Sequence, residues 1–288
     1  MADDDEARGV LLVSCPDQRG IVAAITALLM EHGANIVDLQ QHTDRTDSAF
    51  FQRVEFELEG FDLGRDELDD ALRPLRERFA LQTAMHYSDE IPRAAILSSR
   101  EPHCIHDLLG RVHAGELQMR VETVISNHAD HAQMSEWHGV PFHHLPVTPG
   151  AEADQEAHVA AALRDAQVDL VILARYMRIL SPELVAQWTG RMINIHHSFL
   201  PAFQGARPYH QAHDRGVKLI GATAHYVTSD LDEGPIIEQE VARVDYMMDA
   251  EAMAALGRDV ECVTLARAVK YHVERRVFLN GGKTVVFR

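Results

Sequence analysis

The chain has 288 residues, 46% of them hydrophobic, with 27 basic against 44 acidic side chains and a formal net charge of −17. That length supports one large or two smaller hydrophobic cores, while the acidic surplus opposes phosphate backbones and anionic lipid, so neither a nucleic acid nor a membrane partner is expected. No apolar run approaches the roughly 20 residues of a bilayer span, the N-terminus lacks the basic-then-apolar order of an export signal, and Cys15, Cys104 and Cys262 lie far apart outside any C-x-x-C spacing, which points to reduced, buried thiols and a cytoplasmic location.

Past an acidic stretch, Asp3–Glu6, that reads as a solvated tail, residues 8–86 read as a βαββαβ unit. "GVLLVSC" is a short apolar strand and "PDQRG" its turn. Gly20 leads into "IVAAITALLMEHG", where Ile21, Val22, Ile25, Leu28 and Leu29 recur at helical spacing and Gly33 serves as the C-terminal cap. "ANIVDLQQHT" and "AFFQRVEFEL" follow as strands joined by the polar turn "DRTDS". "RDELDDALRPLRERFA" predicts a second amphipathic helix, kinked or restarted at Pro74, and "LQTAMHYS" closes the unit. Residues 87–92, "YSDEIP", are polar, acidic and ended by Pro, as in a linker.

From residue 93 to residue 288 the pattern changes to α/β. The runs "RAAILSS", "RVETVISN", "FHHLPV", "VDLVILARY" and "MINIHH" alternate with helical stretches. Continuous apolar segments such as "VDLVILA" suit strands covered on both faces, hence a mostly parallel sheet. "ATAHYVT" and "PIIEQEV" add two later strands, and "RVFLNGGKTVVF" predicts a terminal hairpin around Asn280-Gly281-Gly282.

In such a sheet, sites gather at the carboxyl ends of strands. Asn194 and His196 are two residues apart in a strand pattern and project to one face. The segment "HYVTSDLDEGPII" leaves a strand, carries Asp230, Asp232 and Glu233, and re-enters through Gly234-Pro235, so it can deliver a carboxylate beside His196. A carboxamide can hold a carbonyl oxygen as charge develops. An imidazole can carry a proton to a departing nitrogen. A carboxylate can sustain that imidazole in its charged form and orient a water. This set needs no Ser or Cys nucleophile and suits direct attack on an activated acyl group, of which formyl is the smallest. Gly205 and Pro208, in "GARPYH", read as turn residues before a helix. The chain also has 18 His, with His103/His106 and His128/His131 each three apart. No Cys cluster or HExxH accompanies them, so no metal is expected.

Residues 8–86, with "PDQRGIVAAI" at the first turn and "HGANIVD" entering the second strand, resemble the ACT domain, a regulatory module that often binds amino acids between paired copies. That resemblance implies Asp17, Gly20 and Asn35 as effector-binding candidates, glycine or methionine as effector, and a homo-oligomer. "INIHHSFLPAFQGARPYHQA", "GATAHYVTSDLDEGPII" and "LARYMRILSPELV" resemble the folate-dependent formyltransferase superfamily, whose hallmarks are N-x-H-x-S-x-L-P and an L-D-x-G-P loop. The match, with its N-terminal ACT domain, is best to the branch that hydrolyses 10-formyltetrahydrofolate.

The resemblance implies a Rossmann-like catalytic domain, the catalytic residues Asn194, His196 and Asp232, and no cofactor beyond the folate substrate. It places the pterin ring against the backbone of Met177, Arg178, Ile179 and Leu180, under a loop from Thr228 through Asp230 to Gly234, with His197 and His225 beside the site. Formate so released would supply purine synthesis and balance the one-carbon pool. Two departures separate this chain from a transferase of the glycinamide ribonucleotide type. No Gly lies between Leu97 and Leu109 to form a backbone cradle for a substrate phosphate. His197 stands where transferases commonly have Pro, and a second imidazole there would position water. Water as acceptor is therefore the expectation, with an amine-dependent formyltransferase as the alternative.

Overall fold

The computed structural model describes residues 7–201 and 208–288, so Asp3–Glu6 and the turn expected at Gly205 lie outside the described residues. The chain divides into one unit reaching to Ile91 and taking in Phe287–Arg288, and a second spanning Pro92–Val286.

The first unit runs β1 (Arg8–Pro16), α1 (Ile21–Glu31), β2 (Asn35–Asp44), β3 (Ala49–Glu57), α2 (Arg65–Phe79) and β4 (Gln82–Tyr87). Its sheet has the order β2-β3-β1-β4 with every neighbouring pair antiparallel. Ile21, Ile25 and Leu29 of α1 and Leu68, Leu72 and Phe79 of α2 meet Leu11, Val13, Val54 and Phe56 in one core. Helix α1 stops as its glycine predicts. Gly33 has φ +79° and its N–H donates to Met30 O, while Ala34 N–H donates to Leu29 O, closing the last turn in the Schellman pattern.

Two features of this unit bear on the expectations from the sequence. Helix α2 continues through Pro74 without restarting. Pro74 and Asp70 are exposed, so the carbonyl freed by the missing N–H faces solvent, where it can be hydrated at little cost. The second concerns Asp17, Gly20 and Asn35, which do not converge within this unit. Asn35 is level with Glu57 of β3 and through it with Arg8, whereas Pro16 at the other end of β1 is level with Ala49 and Asp44. Asp17 and Gly20 follow Pro16, a strand's length from Asn35. Gly20 (φ +94°) starts α1, Asp17 N–H donates to Ser48 O, and Asn35 Nδ2 donates to Glu57 Oε2 at 2.8 Å.

The second unit contains β5 (Arg93–Ser98), α3 (His103–His113), β6 (Arg120–Ser126), α4 (Ala132–Trp137), β7 (Phe142–His144), α5 (Glu152–Asp165), β8 (Leu170–Ala174), α6 (Pro182–Gln187), β9 (Met192–His196), α7 (Pro208–Asp214), β10 (Leu219–Tyr226), β11 (Ile236–Arg243), α8 (Ala250–Val273), β12 (Val277–Asn280) and β13 (Lys283–Val286). Its main sheet has the order β11-β10-β9-β8-β5-β6-β7. Strands β5 to β9 pair in parallel, while β10 and β11 are antiparallel.

All five residues of β8 are buried because helices cover both faces: Leu170 and Ile172 join the core with α3 and α8, and Val171 and Leu173 the core with α5 and α6. From β5 the chain progresses one way to β6 and β7, then returns to place β8 on the other side. The sheet order therefore reverses between β5 and β8, and a cleft opens at the carboxyl ends of strands there. The terminal residues form the predicted hairpin, β12 with β13.

Candidate active site

Strands β9 and β10 set two of the candidate catalytic side chains, Asn194 and His196, by register. Asn194 lies directly opposite His225, and His196 opposite Thr223. With a side-chain period of two, all four share one face of the sheet. Beyond Tyr226 the chain forms a loop to Ile236, held at its base by Val227 N–H to Met192 O and Tyr226 N–H to Pro235 O. Asp232 stands in this loop at φ +58°, a left-handed conformation that Asp tolerates better than most residues.

That turn aims one carboxylate at the sheet. Asp232 Oδ1 lies 3.2 Å from His196 Nδ1 and 3.8 Å from His225 Nε2. Asp230 and Glu233, the other two loop acids, are exposed. The hydrogen bond from His196, reinforced by the neighbouring imidazoles, holds the Asp232 carboxyl below its ordinary range despite partial burial. His196 Nε2 is buried and has no hydrogen-bond partner among the described residues, which leaves it available to a substrate.

His225 orders the third group. Its Nδ1–H donates to Tyr226 O at 2.9 Å, so Nε2 is the acceptor and takes a hydrogen bond from Asn194 Nδ2 at 3.2 Å. Burial lowers the His225 pKa, which keeps the ring neutral and in this role near pH 7. One N–H of the Asn194 carboxamide is thus used to orient it, and the other remains for a ligand. His197 is pushed down to about 4, by burial first and the Arg175 charge second, and is neutral at pH 7.

These residues line a cavity of about 380 Å³ together with Met177, Arg178, Ile179, Leu180, Thr228, Asp230 and Leu231. Met177, Ile179 and Leu231 are more than half exposed, an apolar rim of the kind that accepts a flat aromatic ring. The loop carrying Met177 is tied to the end of β5, where Met177 N–H donates to Ser99 Oγ at 3.0 Å. Gly234 differs from the expectation of a substrate contact: it does not line the cavity. Its place is against β10, where a Cβ would lie 1.7 Å from Tyr226 O.

The structure adds residues that the sequence reading passed over. Arg175, immediately after β8, lines the cavity, and its guanidinium lies 3.4 Å from Glu261, whose side chain on α8 is only 1% exposed. Glu261 also takes hydrogen bonds from Tyr209 Oη at 2.6 Å and His103 Nε2 at 2.8 Å. The one signal in the sequence was position, since Arg175 ends the most continuous apolar run. His103, Cys104 and Glu261 offer metal-ligand atoms within 4.8 Å of one another, but the Arg175 guanidinium already supplies positive charge at that carboxylate. Of the other His pair considered for a metal, His131 Nε2 is bonded to Ser99 O at 2.6 Å.

Comparison with known proteins places both units. Residues 9–77 match the family model for the ACT domain and residues 92–269 that for formyl transferase. A formyltetrahydrofolate deformylase of Bacillus subtilis is 47% identical over 286 residues, covering 99% of this chain and 95% of that protein. The crystal structure of a formyltetrahydrofolate deformylase from Burkholderia mallei matches with a TM-score of 0.92 at 51% identity, covering 98% of this chain and 99% of that one. One from Pseudomonas syringae pv. tomato matches with a TM-score of 0.96 at 44% identity, covering 99% and 96%.

Proposed function

The chain belongs to the formyltetrahydrofolate deformylase family, and we propose that it hydrolyses 10-formyltetrahydrofolate to formate and tetrahydrofolate through Asn194, His196 and Asp232. The observation that carries this reading is the 3.2 Å contact between Asp232 and His196 Nδ1, which leaves His196 Nε2 buried and, among the described residues, unpartnered beside the Asn194 carboxamide. The free N–H of Asn194 and the Nε2–H of the imidazolium hold the formyl oxygen, and their hydrogen bonds strengthen as it becomes an oxyanion. Asp232 sustains the imidazolium and orients the attacking water, taking a proton from it. The tetrahedral adduct collapses by breaking the C–N10 bond, and a proton reaches N10 through His196 or a water. The step uses no cofactor beyond the folate substrate. His197, neutral and lining the same cavity, positions the water, and the rim of Met177 to Leu180 with Thr228 to Leu231 receives the pterin.

Incubating the purified protein with 10-formyltetrahydrofolate and no amine tests this. Formate and tetrahydrofolate should appear in equal amounts. Consumption only when an amine is added would make the protein a transferase, and no consumption would make it a folate-binding regulator.

The same reading extends to regulation. Released formate would feed purine synthesis in the cytoplasm and balance the one-carbon pool. The ACT domain supports control by an amino acid, glycine or methionine. Because Asp17 and Gly20 lie far from Asn35 within one sheet, these residues form a single effector site only where two copies pair, so effector binding and homo-oligomerisation go together. Titration calorimetry with each amino acid, combined with light scattering, decides it: binding to a monomer would refute the paired site.

A further inference from the structure

Among the described residues, two buried N–H donors of Arg175 have no acceptor. The side chain is 13% exposed, and its Nε lies 3.4 Å from Glu261 Oε2 without forming a hydrogen bond. The two donors are Nε and Nη1. Glu261 has other donors, since Tyr209 serves Oε1 and His103 serves Oε2. The support is specifically built: a Cβ on Gly257, one turn before Glu261 on α8, would lie 2.2 Å from the Tyr209 ring. Glu261 thus anchors the guanidinium by charge while leaving its N–H groups open, and orphaned buried donors are costly unless something binds them.

Hydrolysis supplies a ligand of the right chemistry. Water adds to the formyl carbon, the C–N10 bond breaks, and the product is formic acid, which ionises at neutral pH. Once Asp232 has passed on the proton it took from water, that anion lies beside a second carboxylate, in a cavity where like charges repel strongly. Of the described cationic residues lining the cavity, Arg175 and Arg178, the latter is exposed. A guanidinium fork matches a carboxylate in shape and charge. We infer that Arg175 forms a subsite for the formate product on the cavity wall beside His197. The inference rests on the hydrolase reading above and adds to it a means of separating the product anion from Asp232.

Arg175 has φ +61°, so Arg175→Gly removes the side chain at a backbone position that glycine adopts freely. Sodium formate, with sodium chloride holding ionic strength constant, should inhibit the wild-type enzyme where chloride alone does not. In Arg175→Gly the formate inhibition constant should rise at least about tenfold, with the KM for 10-formyltetrahydrofolate little changed. A direct measurement covers the case in which that variant does not fold. Formate added to 15N-labelled wild-type protein should shift one arginine Nε–H resonance, the one missing from Arg175→Lys. An unchanged inhibition constant in folded Arg175→Gly, or no arginine shift at inhibitory formate, overturns the subsite. A wild-type protein that shows the shift but releases no formate from the folate keeps the subsite and refutes the proposed reaction instead.

Discussion

Asp232→Asn is expected to lower kcat for formate release by about 10²–10⁴-fold, the range of a lost general acid–base group, with the KM for 10-formyltetrahydrofolate within a few-fold of wild type. The substitution is clean because Asn is among the non-glycine residues that best tolerate the left-handed φ of +58° held at this position, so the loop keeps its path. It is also nearly isosteric, so the cavity keeps its shape. What disappears is the charge 3.2 Å from His196 Nδ1, and with it the stabilisation of the imidazolium and the acceptor for a proton of water.

The pH profile follows from the same contact. The Asp232 pKa is depressed, chiefly by the hydrogen bond from His196, so the carboxylate stays ionised through the ordinary Asp range near 3.9 and its acid limb in kcat/KM lies below that value. Its contribution to stability has the same sign: it is fully present above the unfolded pKa and is lost as pH falls through the lower, folded one. Turnover by Asp232→Asn within a few-fold of wild type would refute the role.

Gly234→Ala should be nearly as damaging to activity without touching substrate. A Cβ at this position would lie 1.7 Å from Tyr226 O, 2.9 Å from Tyr226 C and 3.1 Å from His225 Nδ1. The first two are backbone atoms of β10 and cannot rotate away, so the loop must move outward. The hydrogen bond from Tyr226 N–H to Pro235 O, which pins the loop to the strand, is strained by that movement. Asp232 is two residues back, and a shift of about 1 Å in a reacting group is enough to cost roughly 10²-fold in rate. Expected, then, is a fall in kcat/KM of at least about 10²-fold, with a lower melting temperature. Full activity in Gly234→Ala would mean that Asp232 does not depend on this seat.

Much of this architecture was legible because its determinants are local. The run of residues 170–174 is buried on both faces and reads as apolar throughout; the spacing of Asn194 and His196 has the two-residue period of a strand; Gly33 ends α1 as its φ requires. The loop acids were harder. Spacing alone leaves Asp230, Asp232 and Glu233 equivalent, and only family resemblance singled out Asp232. The structure supplies a physical reason in the left-handed turn that points one of the three inward.

The separation of Asp17 and Gly20 from Asn35 within one copy has a topological cause. Strands β1 and β2 both run antiparallel to β3, so they run in the same direction, and the end of one cannot lie beside the start of the other. Helix α1, which carries the chain back between them, hides that distance in the sequence. Arg175 and Glu261 were missed for a reason of their own. Glu261 sits among Gly257, Val260, Thr264 and Leu265 on a helix buried on several sides, where no polar face marks the acid as internal. An acidic residue between Val260 and Cys262 reads as a surface charge until Tyr209, His103 and Arg175 are seen around it.

The central claim is that Asp232 and His196 act as one unit on a bound formyl group, and the kinetics of His196→Ala, Asp232→Asn and the double variant test it most directly. Groups that act together lose their effect together. Formate release by the double variant should therefore fall to about the level of the more damaged single variant. Losses that multiply, so that the double variant is slower by the product of the two single effects, would contradict the account.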